Sequence, residues 1–445
     1  MELSGKRVVV VGLGKSGIAA AKLCRSRGAT VIGTDSAPEE KVSPEAKALG
    51  IPLVLGGHAD AKFEQANLIV VSPGVPNLPE LVQAELAGVE VIGELELAWR
   101  FVDAPIVAIG GTNGKSTTTT LVGDMFLAAG LKTFVGGNLG TPSAEAVAAS
   151  YDVVVWEVSS FQLERVPSFR PRVSVLLNIT EDHLDRYPSF LAYAEAKGNA
   201  FQSQNPDDFA IIPEGDEDCR RQAQRGRAQL LSFGSYGDYV VSGRTVTETR
   251  SGELFDLESS ALHGRHNLEN AAAAIAAARA LDLSAAHIRQ ALSTFRPLPH
   301  RMARVAIVKG VTFYDDSKGT NVGASVTALR GLSENRGVLI AGGRDKHGAY
   351  EPLVEALEAK GRAVVVIGEA AERIANAVGD RVPVLHAESM DDAVNQAFHQ
   401  AEPGDAVLLS PACSSFDMFK SYADRGDRFV SAVQRLAQTT QGASQ

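Results

Sequence analysis

Short runs of apolar residues alternate with longer amphipathic stretches along almost the whole chain. The runs are continuous and rich in Val, Ile and Leu, which is typical of strands buried on both faces of a parallel sheet. They are RVVVVG, ATVIGTD, NLIVVSPG, PIVAIGG, DVVVWEVSS, RVSVLLNIT, GVLIAGG, RAVVVIG and DAVLLSP. This pattern predicts an α/β fold built on mostly parallel sheets.

The strand and helix signals fall into three clusters, as expected for a chain of 445 residues. The first cluster ends near VEVIGELELAWRF, and the second closes with an Ala-rich helix and FRPLPHR. We therefore predict domains at 1–93, 94–299 and 300–445. In the second domain, GDYVVSGRTVTETRSGELFDLES alternates with period two, which predicts added antiparallel strands. The polar end, TTQGASQ, is predicted to be disordered.

Composition narrows the class of protein. The net charge of −10 argues against a nucleic-acid partner, because neutralising phosphates requires a basic face. The three cysteines are too few and too scattered for a disulfide framework or a zinc site. The chain has no apolar run long enough to cross a membrane and no room for a signal peptide before its first strand. These features favour a cytoplasmic enzyme that acts on small molecules, with a monomer as the default state.

The stretch GLGKSG follows the first predicted strand and opens a helix. Gly12, Gly14 and Gly17 fit G-x-G-x-x-G, and Asp35 lies 18 residues after the last of them. This is the sequence form of a turn that binds the diphosphate of a dinucleotide. Taken alone, it is compatible with an NAD-dependent dehydrogenase.

A second glycine-rich turn, GGTNGKSTT, follows the strand PIVAIG. Its GKS matches the end of a P-loop, although Ile109 stands where the strict pattern requires glycine. We expect the backbone N–H groups of residues 111–117 to point at a phosphate. Lys115 adds a cation and Ser116 a hydroxyl for Mg²⁺. The predicted ATP-binding residues of this loop are Gly111, Thr112, Asn113, Gly114, Lys115, Ser116 and Thr117.

Three further polar residues accompany this loop. Glu157 ends the apolar run DVVVWE, as the metal-holding carboxylate of a nucleotide site does. His183 follows another predicted strand, and Lys197 lies on a helix beyond it. From the residues alone, Glu157 is either a metal ligand or a side chain leaving the sheet. A lone His in this position is usually structural, and a lone Lys on a helix is usually solvated.

Together, GGTNGKSTT, EVSSFQLE and NITEDHLDRY with Lys197 resemble the Mur ligases, ATP-dependent amide-forming enzymes of peptidoglycan precursor synthesis. GRHNLENAAAA and LPHRM extend the resemblance over all three predicted domains. SPGV at 72–75, DDSKGTN at 315–321 and SPACSSFDMF resemble the branch of the family that adds D-glutamate. The resemblance implies a Rossmann-like N-terminal domain, a central P-loop domain and a Rossmann-like C-terminal domain.

The reaction that the resemblance implies joins UDP-N-acetylmuramoyl-L-alanine to D-glutamate while ATP becomes ADP and phosphate. The substrate carboxylate first becomes an acyl phosphate, which the amine of D-glutamate then attacks. Two Mg²⁺ ions are implied, one on Ser116 and Glu157 and one near His183. Lys197 is implied to be carbamylated by CO₂, which turns its cation into an anionic metal ligand. Such an enzyme serves cell-wall biogenesis, cell shape and cell division.

The same resemblance assigns the binding residues. The catalytic set is Lys115, His183 and Lys197, and the metal ligands are Ser116, Glu157, His183 and Lys197. ATP is further contacted by Asn267, Asn270, Arg301 and Asp316. The UDP-substrate is held by Gly14, Lys15, Ser16, Asp35, Ser36, Gly74, Asn138, Ser159 and Gln162. D-Glutamate is held by Lys318, Thr320, Lys346, Ser415 and Tyr422.

Three alternatives stay open at this point. A folylpolyglutamate synthase shares the P-loop motifs, but it has no use for a UDP-binding domain at 1–93. An NAD-dependent dehydrogenase has no use for Glu157, His183 and Lys197 around a phosphate loop. A regulator that binds a nucleotide without catalysis has no need to keep all of these groups. For Asp35, the alternative to nucleoside binding is a strand-end residue that forms a turn.

Overall fold

A computed structural model describes residues 1–184, 186–262, 264–345 and 349–442. In this part of the chain the strands form three separate sheets of five, nine and six strands. The predicted α/β class is confirmed, since most neighbouring strands are parallel and helices connect them. Each of the nine apolar runs named above contains a strand.

The first sheet is parallel throughout and has the strand order β3-β2-β1-β4-β5. Residues 8–11 of its central strand are fully buried, as the run of four valines predicts. The strands are β1 (Arg7–Val11), β2 (Thr30–Asp35), β3 (Leu53–Leu55), β4 (Leu68–Val71) and β5 (Glu90–Gly93). The accompanying helices are α1 (Lys15–Ser26), α2 (Pro44–Lys47), α3 (Pro79–Leu86) and α4 (Glu94–Trp99).

The second sheet carries the phosphate loop after its strand β6 (Ile106–Gly110), and its order is β14-β13-β12-β11-β10-β9-β6-β8-β7. The other strands are β7 (Thr133–Gly137), β8 (Val153–Glu157), β9 (Val173–Leu176), β10 (Phe209–Pro213), β11 (Gln229–Gly234), β12 (Tyr239–Ser242), β13 (Thr245–Glu248) and β14 (Glu253–Asp256). The last three strands pair antiparallel at one edge, which confirms the prediction from period-two alternation. Its helices are α5 (Lys115–Ala128), α6 (Ser160–Leu163), α7 (Phe190–Gly198), α8 (Glu217–Ala223), α9 (Arg265–Arg279) and α10 (Ala285–Thr294).

The third sheet has the order β15-β16-β20-β17-β18-β19. Successive residues of its central strands alternate between two apolar clusters, one on each face, so that helices cover both faces. The strands are β15 (Ala303–Val308), β16 (Val311–Asp315), β17 (Gly337–Gly342), β18 (Gly361–Ile367), β19 (Val384–His386) and β20 (Ala406–Leu409). The helices are α11 (Val322–Arg330), α12 (Glu351–Lys360), α13 (Ala371–Val378), α14 (Met390–Gln400) and α15 (Tyr422–Gly442).

The end of α15 differs from the sequence prediction. Disorder was predicted from Thr439 onward, but residues 439–442 continue the helix. The hydroxyls of Thr439 and Thr440 donate to the carbonyls of Arg435 and Leu436, four residues earlier in each case. These polar side chains therefore find partners on the helix itself.

The chain divides into two compact units. One comprises residues 1–179, 194–260 and 269–295, and the other comprises 180–193, 261–268 and 296–445. The three-domain boundaries stay a prediction, although each of the three sheets lies within one predicted domain. None of the described helices combines the length and apolarity that a membrane crossing needs.

Glu94 carries a pH-dependent contribution to stability in the first unit. Its side chain is fully buried, Oε1 accepts a 2.6 Å hydrogen bond from the Ala144 N–H, and Oε2 has no hydrogen-bond partner. Burial raises the pKa of Glu94 from 4.5 to about 7. Because the folded state holds this proton more tightly than the unfolded state, stability falls as pH rises from 4.5 to about 7.

We therefore expect Glu94→Gln to raise the melting temperature by a few degrees at pH 8 and to change it little at pH 4.5. The shift of the pKa to about 7 corresponds to a penalty of about 3 kcal/mol at most. The exposed Glu80→Gln serves as the matched control. Scanning calorimetry at both pH values checks this, and an equal shift at both would contradict it.

Candidate functional site

The first glycine-rich turn lies between β1 and α1, as predicted. Gly12 has φ +85°, and a Cβ on Gly17 would overlap the Gly12 carbonyl oxygen. Both positions therefore need glycine. Gly14 is the N-cap of α1 and makes no side-chain hydrogen bond to the first turn, which is the kind of helix start that binds anions.

This turn opens onto a cavity of about 620 Å³ in the first unit. The cavity brings together all of the residues predicted for the UDP-substrate except Ser159. They are Gly14, Lys15, Ser16, Asp35, Ser36, Gly74, Asn138 and Gln162. Ser159 instead forms a capping box with Gln162 at the start of α6, accepting from the Gln162 N–H at 3.2 Å. Ser159 therefore does not line the cavity itself but holds Gln162, which does.

Asp35 holds the turn itself. Its Oδ2 accepts the Leu13 N–H at 2.7 Å, and its Oδ1 accepts the Ala37 N–H at 2.8 Å. The carboxylate thus ties the glycine turn to the end of β2. This geometry favours the turn-forming interpretation of Asp35, which nevertheless lines the cavity.

Sequence reasoning missed two polar residues of the cavity. Ser72 donates from Oγ to the Gly12 carbonyl at 2.7 Å and so braces the glycine turn from the end of β4. His58 lines the cavity after β3. Ser72 could have been predicted from its place in SPGV, close to Gly74. The local sequence around His58 contains no motif that predicts a role for it.

The phosphate loop has the predicted position between β6 and α5. Gly114, with φ +86°, is the N-cap of α5 and supplies no capping side chain. The N–H groups of the first turn of α5 therefore have the arrangement that binds phosphate. A Cβ on Gly114 would overlap Oδ1 of the buried Asn270, so glycine lets that side chain lie against the loop.

The prediction that all N–H groups of residues 111–117 point at a phosphate is wrong for two of them. The Thr112 N–H donates to the Asn178 carbonyl at 3.0 Å and to its Oδ1 at 3.2 Å, and the Asn113 N–H donates to the same Oδ1 at 2.9 Å. Asn178 also donates to the Asn113 carbonyl at 3.1 Å. This residue follows β9, whose pairing with β6 brings it to the loop. Sequence reasoning missed it inside the quoted motif NITEDHLDRY.

Two lysine amines meet at the phosphate loop. Lys115 Nζ donates to the carbonyls of Gly111 and Thr112, at 2.9 and 2.7 Å. Lys197 Nζ donates to the same Gly111 carbonyl at 2.8 Å, and its residue is only 3% exposed. The interpretation of Lys197 as a solvated helix residue is therefore wrong.

Glu157 lies beside this loop, opposite Ile109 in the parallel pairing of β8 with β6. Asn138 Nδ2 donates to its Oε1 at 2.6 Å, whereas Oε2 is buried with no hydrogen-bond partner. The interpretation as a side chain leaving the sheet is wrong, since the residue is only 3% exposed. Ser116 and Thr117 are also buried. An orphaned carboxylate oxygen in this position fits a metal ligand.

The second unit holds the predicted ATP contacts Arg301 and Asp316. Asp316 accepts from Ser410 Oγ at 2.7 Å and from the Met302 N–H at 3.3 Å. Burial raises the pKa of Asp316 to about 7, and the charge of Arg301 partly opposes this. The two predicted residues therefore interact electrostatically.

A buried arginine links two of the segments that carry the predicted D-glutamate residues. Lys318 Nζ lies 4.1 Å from the centre of the Tyr422 ring, as in a cation–π pair. Arg425, which is 1% exposed, donates to the Ser317 carbonyl at 2.8 Å and to the Cys413 carbonyl at 3.2 Å. It thereby ties the segment of Lys318 to the segment of the buried Ser415. Thr320 is half-buried, and Lys346 lies outside the described residues.

His183 and Asn267 also lie in the second unit. His183 has the left-handed φ of +57°, and its N–H donates to its neighbour Asp182 at 2.9 Å. Asp182 Oδ2 in turn accepts from Asn321 Nδ2 at 3.0 Å, which connects this loop to the start of α11. Asn267 lies in the first turn of α9.

A phosphate loop with two lysines and a buried carboxylate, beside a glycine-turn cavity, defines an α/β enzyme that uses a nucleoside triphosphate. Comparison with known families then places the chain more closely. Three family descriptions match it: "Mur ligase MurD-like, N-terminal domain" over 6–93, "Mur ligase middle domain" over 109–278, and "Mur ligase, glutamate ligase domain" over 300–413. The chain belongs to the Mur ligase family.

Relatives of known function agree with this placement. The UDP-N-acetylmuramoylalanine–D-glutamate ligase of Trichlorobacter lovleyi is 46% identical over 98% of this chain and its own full length. The enzyme of the same name from Geotalea daltonii is 44% identical over 98% of this chain and 99% of its own. The MurF ligase of Thermotoga maritima in complex with ADP shares the fold, with a TM-score of 0.63 and 18% identity over 98% of this chain and 96% of its own.

Proposed function

We propose that this protein joins D-glutamate to UDP-N-acetylmuramoyl-L-alanine, with conversion of ATP to ADP and phosphate, in peptidoglycan synthesis. Relatives of that name match almost the entire chain at about 45% identity. The observation that carries the proposal is one continuous cavity. It extends from the glycine turn at Gly14 to Asn138, which is hydrogen-bonded to Glu157 beside the phosphate loop.

This arrangement suits a substrate with a diphosphate at one end and a carboxylate at the other. The N–H groups at the start of α1 and Lys15 bind the diphosphate. Asn138 and Gln162 then hold the muramoyl–alanyl arm and direct its carboxylate toward the phosphate loop. The N–H groups at the start of α5 and the amine of Lys115 bind the phosphates of ATP and neutralise charge as two anions are brought together.

Further residues are assigned to ATP and to the amino acid. We assign Asn270 of the first unit and Asn267, Arg301 and Asp316 of the second unit to ATP, and Lys318, Thr320, Lys346, Ser415 and Tyr422 to D-glutamate. The cations Lys318 and Lys346 match the two carboxylates of that amino acid. The Tyr422 ring, stacked against the Lys318 amine, restricts the orientation of that cation.

Mg²⁺ fits the residues around the phosphate loop. The described residues contain no group of three or more His, Cys, Asp or Glu side chains arranged to hold a metal alone. Mg²⁺ commonly takes one or two protein ligands together with substrate phosphates and waters. We assign it to Glu157 Oε2 and the hydroxyl of Ser116, and a second ion to His183. Lys197 is assigned as a further metal ligand. When bound, Mg²⁺ supplies charge neutralisation at the transferring phosphate.

We further infer that Lys197 acts as a carbamate. Its amine is buried and shares the Gly111 carbonyl with the amine of Lys115, so that two cations compete for one acceptor. Capture of CO₂ by the neutral amine replaces one of these cations with an anion and releases a proton. The product is a carboxylate-like group beside the phosphate loop.

The remaining assignments follow from this function. We propose the domains 1–93 for the UDP-substrate, 94–299 for ATP and 300–445 for the amino acid. We place the enzyme in the cytoplasm, where ATP is available, and expect a monomer that acts on small molecules, with no nucleic-acid or membrane partner. Its product serves cell-wall biogenesis, and through it cell shape and division.

Phosphate release from ATP tests the proposal. We expect release only when UDP-N-acetylmuramoyl-L-alanine and D-glutamate are both present, because the acyl phosphate needs the first and its capture the second. A folate with L-glutamate is the comparison. Phosphate release only with the folate and L-glutamate would identify a folylpolyglutamate synthase. No release with either set of substrates would favour a regulator that binds a nucleotide without catalysis.

The first glycine turn should bind UDP and not NAD, although its pattern suits both. We expect isothermal calorimetry to give micromolar affinity for the UDP-substrate and no measurable heat with NAD. The physical reason is that the turn contacts only a diphosphate, whereas the cavity continues to Asn138 rather than to a hydride acceptor. Micromolar NAD binding without UDP binding would contradict the assignment.

A further inference from the structure

His58 lines the UDP-substrate cavity beside the edge strand of the first sheet. In the first sheet, β3 is the edge strand, followed by β2, β1 and β4. His58 follows β3, Ser36 follows β2, Lys15 follows β1 and Gly74 follows β4, and all four line the cavity. The cavity therefore runs across the ends of the strands in this order.

The direction of the bound substrate follows from the other lining residues. Gln162 lines the cavity together with Ser72 and Val75, which lie after β4, and the same three residues line a small adjoining cleft. The Ala144 N–H, six residues after Asn138, donates to Glu94 at the end of β5, which pairs with β4. The reacting end of the substrate therefore belongs on this β4 side, with Asn138 and its partner Glu157. With the diphosphate at the turn after β1, the nucleoside extends past β2 toward His58.

The hydrogen bonds of Thr34 determine which nitrogen of His58 carries a proton. Thr34 is fully buried, and its Oγ1 lies 3.1 Å from the Gly57 carbonyl and 3.0 Å from His58 Nδ1. The carbonyl can only accept, so the single hydroxyl proton of Thr34 goes to Gly57. Oγ1 must then accept from His58, which places a proton on Nδ1. In the neutral ring, Nε2 is consequently a hydrogen-bond acceptor.

We propose that His58 accepts a hydrogen bond at Nε2 from the uridine of the substrate. The inference rests on the proposed function and adds a residue that selects the nucleoside. Phosphate oxygens offer no proton to an acceptor, so the diphosphate is not the partner of a neutral His58. Uridine offers three donors, which are the base N3–H and the two ribose hydroxyls. The Phe63 ring, 6.2 Å from the imidazole centre, limits the orientations of His58.

Calorimetry with modified nucleotides tests this proposal. The probes are UDP, N3-methyl-UDP, 2′-deoxy-UDP and 3′-deoxy-UDP, each titrated into the full-length protein and into His58→Phe. We expect His58→Phe to weaken UDP binding about 10-fold, as loss of one hydrogen bond does. One modified nucleotide should bind about 10-fold more weakly than UDP to the unaltered protein, and about as well as UDP to His58→Phe.

The controls separate this proposal from the function on which it rests. His386→Phe alters a histidine on β19 in the second unit and should leave UDP binding unchanged. If the unaltered protein does not bind UDP, the proposed function fails. If the unaltered protein binds UDP and binds all three modified nucleotides as tightly as UDP, the role of His58 is refuted. This outcome does not depend on whether His58→Phe folds. The role of His58 is also refuted if His58→Phe folds and still binds the modified nucleotides more weakly than UDP by the same factors as the unaltered protein.

Discussion

Lys115→Ala should lower the rate of ATP-dependent ligation by about 10³-fold or more while leaving the affinity for UDP-N-acetylmuramoyl-L-alanine within about twofold. The Lys115 amine lies at the carbonyls of Gly111 and Thr112, and we propose that it binds the phosphates of ATP from this position. Removal of a cation that neutralises a transferring phosphate costs several kcal/mol of transition-state stabilisation. Lys115 does not line the UDP-substrate cavity.

The measurements for this prediction are steady-state phosphate release and calorimetry with the UDP-substrate. Lys22→Ala is the matched control, because Lys22 is an exposed lysine of α1 outside the phosphate loop. It should retain the rate of the unaltered enzyme. Loss of both affinities in Lys115→Ala would indicate misfolding rather than a local effect, and unimpaired turnover would contradict the role of Lys115.

Lys197→Ala should be nearly inactive, and short carboxylic acids should restore part of its activity. If Lys197 acts as a carbamate, the missing group is an anion with two oxygens, and acetate or formate can enter the space that the side chain leaves. An unperturbed lysine has a pKa of about 10.4, so the neutral amine that captures CO₂ must be favoured by its surroundings. The Lys197 amine is buried and shares the Gly111 carbonyl with the amine of Lys115.

Activity of Lys197→Ala is measured as a function of added acetate, formate or alkylamine. A carbamate predicts an increase with the acids and none with the amines. Rescue by amines alone would show that Lys197 acts as a cation, and full activity without additives would remove it from the mechanism. Lys115→Ala treated with the same acids is the control and should show no rescue.

The elements that were predicted correctly have a local cause in the sequence. The runs of Val and Ile in β1, β6 and β18 can only be buried on both faces of a sheet, and the glycines at 12 and 114 are required by their backbone angles. A short strand has too few residues to show such a continuous apolar run. β3 has only three residues, all partly exposed, so its pattern differs little from that of a loop.

The residues that were missed depend on the order of the strands. Asn178 reaches the phosphate loop only because β9 pairs with β6, although the two strands are more than 60 residues apart in the chain. His58 joins the nucleotide cavity because β3 lies beside β2. Neither neighbour relation can be read from local composition. The two hydrogen bonds that Asp35 accepts from backbone N–H groups match the turn-forming role, which the sequence predicted only as the alternative to nucleoside binding.

The measurement that tests the central claim most directly is identification of the product by mass spectrometry. The purified protein is incubated with ATP, UDP-N-acetylmuramoyl-L-alanine and either D- or L-glutamate. We expect the nucleotide substrate to gain the mass of one glutamyl residue with the D-isomer only, with one ADP and one phosphate formed per product. ATP hydrolysis without a glutamylated nucleotide, or equal product from the L-isomer, would contradict the proposed function.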